Sequence, residues 1–252
     1  MKILLHISFL GTHYCGYQVQ PNGVTVQQKL NEAAKALFGY DCDIVGCSRT
    51  DSGVHANEFC AAVTVKGEAF LDTRIPVEKI AGAMSYYLPD DISVTCAQAV
   101  DDDFHPRYDV SYKEYVYKIW NGKIRNPFLI DRAWHCPRRI DDVALNEMNR
   151  AASYLKGKHD FSSYMASDTK VKDTVRTVFD ADVRRDGDLI EFRISADGFL
   201  YNMVRIITGT LVDVAYGRIS ADDIVKITES CDRSLAGTTA PSHGLYLNRV
   251  VY

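Results

Sequence analysis

Short apolar runs and two stretches of helical periodicity organise the first hundred residues. Strands are predicted at residues 2–9, 42–46, 58–65 and 92–100. Thr25 followed by Gln28 forms a capping box, after which apolar residues recur every three or four positions. Pro76 suits the first turn of a second helix with the same periodicity. The predicted order is therefore β-α-β-β-α-β.

The same order returns after an acidic run at residues 101–103. The elements predicted there are a strand at 112–120, a helix capped by Asp141, a hairpin of 174–184 and 188–195 around Asp186-Gly187, a helix at 199–216 and a closing strand in GLYLNRVVY. Two copies of β-α-β-β-α-β predict an α+β protein with two ferredoxin-like halves, residues 1–103 and 104–252. We expect mixed, mainly antiparallel sheets with a central cleft where they meet.

Composition narrows the class of protein. The 252 residues are 46% hydrophobic and 25% charged, which excludes disorder, and no apolar run reaches the ~20 residues of a membrane helix. The start, MKILLHISFLG, lacks a cleavage site of the signal-peptide type. We therefore expect a folded, water-soluble, cytoplasmic protein with no membrane partner.

The cysteine pattern favours reduced thiols. The seven cysteines are odd in number, scattered and without a C-x-x-C pair, so we expect mostly buried thiols and no zinc site or disulfide framework. The acidic run Asp101 to Asp103 is interpreted as a solvated linker and not as a magnesium cluster, because consecutive side chains point in different directions. No metal is expected.

Charge is distributed unevenly along the chain. The net charge of −4 argues against a nucleic-acid partner. Residues 105–139, however, hold eight basic side chains against three acidic ones, with seven aromatic residues among them. Positive charge beside flat rings is the combination that stacks unpaired bases and neutralises their backbone. The alternative is a basic strand face with core aromatics behind it.

The loop between the second and third predicted strands, GCSRTDSGVHA at residues 46–56, is dense in polar groups. Asp51-Ser52-Gly53 has the triplet of an aspartic protease, but such enzymes pair two carboxylates and this chain has one triplet. The phosphate-loop and G-x-S-x-G patterns are absent. The structural alternative is an Asx-turn, with Gly53 at positive φ.

Six stretches give the chain a resemblance to a known family. They are, in order, FLGTHYCGYQVQ, SRTDSGVHA, FHPRYDVSYKEYVYKI, HDFSSY, GFLYNMVRIITGTLVDV and APSHGLYL. In this order and spacing the chain resembles the tRNA pseudouridine synthases of the TruA type. It departs from them at Ser48, where Gly is common, at Tyr17, where Trp is common, and at Lys113-Glu114, where two basic residues are common.

The resemblance implies a function and a catalytic carboxylate. The implied activity is isomerisation of uridine to pseudouridine at positions 38, 39 and 40 of tRNA, by a homodimer without cofactor or metal. Asp51 would attack ribose C1′, add to uracil C6 or start an elimination, and these routes stay open. Each route needs an ionised carboxylate, so we expect a cationic partner. Arg205, in an apolar helix, is the candidate, although it could instead pair with Asp213.

Four further residues have expected roles at the site. Tyr115, the family's active-site tyrosine, would stack on the flipped uracil and could relay the C5 proton, or be a core tyrosine. Arg49 would contact phosphate or fill the gap left by the flipped nucleotide, or be a solvated loop residue. His55 would touch the RNA backbone or cap a turn. Leu245 would line the uracil pocket or belong to the core.

Two other functions remain open from the sequence. The first is a non-catalytic RNA-binding protein that uses its sheets as stacking platforms. The second is a hydrolase that uses Asp51 on a nucleoside or peptide.

Overall fold

The computed structural model describes residues 1–166 and 171–252, which form two compact units. The first unit comprises Met1–Ser111 and Tyr246–Tyr252, and the second comprises Tyr112–Leu245. The first unit thus continues past the expected boundary at residue 103. It also includes Tyr246–Tyr252 of the closing strand, which is expected in the second half.

The first unit contains a mixed sheet with two helices. Its strands are β1 (Lys2–Phe9), β2 (Cys42–Gly46), β3 (His55–Val65), β4 (Ile92–Val100) and β10 (Leu245–Val251), and its helices are α1 (Val26–Phe38) and α2 (Val77–Tyr86). β1 lies antiparallel between β3 and β4, and β2 is antiparallel to β3. β10 runs parallel to β3, with Tyr246 opposite His55. α1 packs on β2 and α2 on β4.

Local chemistry explains these elements. The Thr25 hydroxyl accepts a hydrogen bond from the backbone N–H of Gln28 at 3.2 Å, so the predicted cap begins α1. Alternate residues of β1 are fully buried, as are apolar residues of both helices; the set comprises Ile3, Leu5, Ile7, Leu30, Ile80 and Met84. This period-two and period-3.6 burial forms the core of the first unit.

The second unit repeats the arrangement with additions. Its strands are β5 (Tyr112–Trp120), β6 (Trp134–His135), β7 (Gly157–Asp160), β8 (Val175–Asp186) and β9 (Leu189–Ala196), and its helices are α3 (Asp142–Ser153), α4 (Met203–Ala215) and α5 (Asp223–Ser230). β9 is antiparallel to both β5 and β8, β7 is antiparallel to β8, and β6 is parallel to β5. The predicted α+β class with ferredoxin-like halves is confirmed.

Differences from the predicted elements have local causes. The hairpin turns at Gly187 as expected, and the Asp141 carboxylate caps α3 by accepting from the N–H of Ala144 at 2.8 Å. α4 begins at Met203 and not at residue 199, because Asn202 has a φ of +60° and cannot continue a right-handed helix. β6, β7 and α5 were not predicted, since strands of two and four residues and a helix of only about two turns show too little of their periods.

The cysteines, the helices and the acidic run can each be described from the structure. All seven cysteines are free thiols, and four of them are buried, as expected. Among residues 1–166 and 171–252 no helix combines the length and the apolar character needed to cross a membrane. The side chains of Asp101, Asp102 and Asp103 are exposed, which agrees with a solvated linker.

Candidate active site

The polar loop of residues 47–54 joins β2 to β3 in the first unit. Asp51 is half-buried, whereas Arg49, two residues earlier, is exposed. The carbonyl of Asp51 accepts from the N–H of Val54 at 3.2 Å, and Gly53 has a φ of +79°. A turn is therefore present at this triplet, closed by a backbone hydrogen bond, and Gly53 has the positive φ that was expected there.

The segment of residues 11–17 holds this loop in place. The Tyr17 N–H donates to the Thr50 carbonyl at 3.3 Å, and the Gly53 N–H donates to the Tyr14 carbonyl at 3.3 Å. Gly16 has a φ of +80°, and a Cβ there would lie 2.3 Å from the Thr50 oxygen. Only glycine permits this approach. The first and second of the six family stretches thus form one backbone assembly around Asp51.

His55 anchors the far end of the loop from inside the protein. Its side chain is 0% exposed, and its Nδ1 accepts a hydrogen bond from the Gly11 N–H at 2.9 Å. The ring also stacks against Tyr246 with centroids 4.6 Å apart. Because a backbone N–H can only donate, Nδ1 is the acceptor and a neutral ring carries its proton on Nε2. The expected RNA contact is therefore corrected: His55 is too deeply buried to reach an RNA backbone in this conformation.

Sequence reasoning missed the support beneath the loop. The Tyr17 ring is buried and stacked on Phe59, with centroids 4.2 Å apart. Burial raises the pKa of the Tyr17 phenol far above its usual range, so the ring is neutral at physiological pH. Gly46 lies against both rings, since a Cβ there would meet each at under 3 Å. The Gly at the end of β2 was the only signal of this contact in the sequence.

Arg205 occupies the first turn of α4 in the second unit. Its Nε donates to the Ala240 carbonyl at 2.8 Å, and its Nη1 donates to the Asn202 side-chain oxygen at 2.6 Å. Asp213, the alternative partner, pairs with Arg218 at 2.7 Å. These two neutral oxygens hold the half-buried guanidinium in a fixed orientation.

Tyr115 lies in the same unit on β5. The ring is 6% exposed and meets Phe199 edge-on, with centroids 4.9 Å apart. Tyr117, two residues along the same strand face, is fully buried, and its hydroxyl donates to the Pro241 carbonyl at 2.6 Å. Burial raises the Tyr117 pKa well above its usual range, with Arg205 acting weakly in the opposite direction. Leu245 is buried where β10 begins.

The basic and aromatic stretch separates into exposed and buried members. Lys123 and Arg125 are exposed, and Phe128 between them and the next strand is 82% exposed. Arg139 forms an ion pair with Asp188, and Arg138 lies over the ring of Tyr216. The exposed part offers charge and two rings, those of Tyr108 and Phe128, to a polyanion, whereas Tyr115 and Tyr117 belong to the interior.

A possible metal-binding group lies outside the loop. Side chains of His6, Glu58 and Cys60 in the first unit place three potential ligand atoms within 4.8 Å of one another, the one such group among the residues that the structure describes. This group could not be identified from the sequence, because two of its residues are separated from the third by more than fifty positions.

Comparison with known proteins agrees with the resemblance in the sequence. Residues 6–109 and 151–252 match a family described as tRNA pseudouridine synthase. The chain is 43% identical over 251 residues to tRNA pseudouridine synthase A of a Thermoanaerobacter species, covering 100% of this chain and 99% of the relative. It is also 43% identical over 252 residues to tRNA pseudouridine synthase A of Acetivibrio thermocellus, with the same coverage. Among solved structures, a Cbf5-Nop10-Gar1 complex aligns with 97% of this chain and 48% of that chain, at 12% identity and a TM-score of 0.38.

Proposed function

Because this chain belongs to the tRNA pseudouridine synthase family, we propose that it isomerises uridine to pseudouridine at positions 38, 39 and 40 in the anticodon stem-loop of tRNA. The observation that carries the proposal is the Asp51 loop, in which the backbone of residues 11–17 fixes a single half-buried carboxylate. A carboxylate held in this way is suited to begin covalent or general-base chemistry.

The reaction needs little beyond that carboxylate. The bond between ribose C1′ and uracil N1 breaks, the base turns, C1′ joins C5, the C5 proton leaves and N1 gains a proton. No electron is lost or gained overall, so no redox cofactor is required, and the proposed steps use no metal. Asp51 attacks C1′, adds to C6 or removes the ribose 2′ proton, and all three routes begin from its ionised form.

Arg205 supplies the charge that keeps Asp51 ionised. An adjacent guanidinium lowers a carboxylate pKa by roughly 1 to 3 units. The fixed orientation of Arg205 by Asn202 and Ala240 supports this role, because a pre-oriented cation loses little freedom when it meets an anion.

The remaining residues hold the nucleotide and the loop. Tyr115 stacks on the uracil and can relay the C5 proton through its hydroxyl. Arg49, exposed beside Asp51, contacts phosphate or fills the space of the flipped nucleotide. Leu245 contributes to the apolar wall of the uracil pocket. His55 acts as a positioning residue for the loop and not as an RNA contact.

The proposal also includes the substrate, the oligomeric state and the location of the enzyme. The substrate is tRNA, the enzyme works as a homodimer, as the resemblance to its family implies, and it acts in the cytoplasm. A dimer would bring two exposed basic loops to one tRNA although the net charge of each chain is −4.

The decisive experiment replaces the carboxylate alone. We expect Asp51→Asn to abolish tritium release from tRNA labelled at uridine C5, by about 10³-fold or more, while tRNA affinity stays within about twofold. Asp103→Asn, at an exposed carboxylate of the linker, is the control and should leave both unchanged. Unchanged release by Asp51→Asn would exclude Asp51 as the catalyst. Absence of release in the unaltered protein would favour the non-catalytic RNA-binding function, and a free base or cleaved peptide would favour the hydrolase.

A further inference from the structure

Three side chains of different chemistry meet on one face of the first unit's sheet. His6 Nδ1 lies 2.9 Å from Glu58 Oε1 and 3.7 Å from Cys60 Sγ. Cys60 is fully buried, whereas 20% of the His6 side chain and 33% of the Glu58 side chain are exposed. An ion in solvent can therefore reach the group, and its thiol side is closed.

The register of the strands explains why these three side chains lie close together. His6 of β1 is directly opposite Cys60 of β3, and directly opposite residues of antiparallel strands project to the same face. Glu58 lies two residues before Cys60 on β3, so it shares that face. On the other side of β1, His6 is opposite Cys96 of β4, which gives a row of Cys, His and Cys across three strands. The placement follows from strand pairing as well as from side-chain rotamers.

The donor set fits one class of ion. Imidazole nitrogen, thiolate sulfur and carboxylate oxygen are the three ligand types of Zn²⁺ in proteins. Tetrahedral bonds of zinc to nitrogen and sulfur place those two atoms about 3.6 Å apart, close to the 3.7 Å between Nδ1 and Sγ. A thiolate and a carboxylate together balance the two positive charges of the ion. Water can take the fourth position.

We propose that His6, Glu58 and Cys60 form a structural zinc site that ties β1 to β3. On binding, the Cys60 thiol releases its proton to solvent, and the His6 proton resides on Nε2 so that Nδ1 offers its lone pair. The site is separate from the chemistry proposed for Asp51, which needs no metal. It stabilises the strand whose first residue, His55, ends the catalytic loop.

Metal binding to the purified full-length protein tests the proposal directly. After removal of metal with a chelator and readdition of Zn²⁺, we expect about one zinc ion per chain by elemental analysis and a rise in Tm. Co²⁺ in place of Zn²⁺ should give a thiolate charge-transfer absorption. We expect Cys60→Ala and His6→Gln each to raise the Kd for zinc by about 100-fold or more, since even partners of zinc ligands contribute 10- to 100-fold.

The matched control is Cys42→Ala, which removes another buried thiol from the same sheet and should bind zinc as the unaltered protein does. Circular dichroism verifies that each variant is folded, and His6→Gln serves if Cys60→Ala does not fold. The proposal is overturned if the unaltered protein takes up no zinc and its Tm does not change, or if a folded His6→Gln binds zinc as tightly as the control. Neither result bears on pseudouridine formation, which is measured separately.

Discussion

Arg205 and Ala240 are joined by two hydrogen bonds of opposite direction. The Nε of Arg205 donates to the Ala240 carbonyl at 2.8 Å, and the Ala240 N–H donates to the Arg205 carbonyl at 3.1 Å. One residue thus binds the segment before β10 with both its side chain and its backbone. The guanidinium is held in one orientation, which is the property required of a group that sets the charge of a neighbour.

Loss of the Arg205 charge should be visible in a pH profile. If Arg205 lowers the Asp51 pKa, Arg205→Gln raises that pKa by roughly 1 to 3 units. The ionised fraction then falls at acidic pH, so the acid limb of kcat/KM moves to higher pH by the same amount. Arg205→Lys keeps the charge and should shift the limb less. An acid limb at the same pH in Arg205→Gln would contradict the role, whatever the loss of overall rate.

Tyr115 allows the ring and the hydroxyl to be separated. Tyr115→Phe keeps the ring, so we expect tRNA affinity to be retained and single-turnover rates to fall about 100-fold if the phenol relays the C5 proton. Tyr115→Ala also removes stacking and should weaken binding by ~1 to 3 kcal/mol. Tyr112→Phe, on the same strand, is the control. Equal rates for Tyr115→Phe and the unaltered enzyme would leave stacking as the role of Tyr115.

His55 should matter through the loop that it anchors. His55→Ala leaves the buried Gly11 N–H without its acceptor, which costs about 1 to 3 kcal/mol in the free energy of unfolding. His55→Asn offers an oxygen near the position of Nδ1 and should recover part of that loss. Urea denaturation measures both. A fall in kcat with unchanged tRNA affinity is expected for His55→Ala, whereas a selective loss of affinity would restore the direct RNA contact.

Salt dependence reports on the exposed basic loop. Binding of tRNA should weaken steeply as salt rises, because neutralised phosphates release counterions. Lys123→Gln and Arg125→Gln should each reduce the slope of log K against log salt by about 1 if each side chain contacts a phosphate. Lys158→Gln, exposed on β7, is the charge-matched control and should not change the slope. A slope near zero in the unaltered protein would exclude a phosphate-dominated interface.

His243 gives the second unit a pH-dependent stability. Burial lowers the His243 pKa below 6.5; Arg205 acts in the same direction, while Asp131 and a bond to the Ala133 backbone oppose the shift. The unfolded chain therefore binds more protons just below pH 6.5, so this contribution to stability is complete above that pH and declines as pH falls towards the folded pKa.

We expect Tm to fall less between pH 7.5 and 5 in His243→Gln than in the unaltered protein, as measured by differential scanning calorimetry at several pH values. His13→Gln, at an exposed histidine, controls for the loss of one imidazole. Identical pH dependence of the unaltered protein and His243→Gln would contradict the lowered pKa.

The fold was predictable to the extent that burial is periodic. Alternation in β1 and helical spacing in α1 are imposed by contact with a core, and they can be read without knowing where the core lies. Strand pairing is different, because the alternation of apolar residues predicts that a segment is a strand but not which strand it pairs with. The closing strand was therefore recognised as a strand, but its parallel pairing with β3 could not be predicted.

In the candidate site, too, local features were predictable from the sequence and long-range contacts were not. Asp51 and Gly53 were identified from a local motif, and the turn that they form is local. The burial of His55 depends on Gly11, and the group around His6 depends on register with Cys60, so both arise from pairings across more than forty residues. Such pairings leave no mark in a single sequence.

The pairing of β10 with β3 has a consequence for synthesis on the ribosome. β2 covers Ala61–Val65 of β3 on one edge, and β10 meets the same strand at His55 and Ala56. Nearly the entire second unit is translated between these two partners. A nascent chain can therefore build most of the first unit early, but the strand that begins directly after the Asp51 loop acquires β10 as a neighbour only after the second unit has been translated. Completion of the sheet next to the loop is delayed until then.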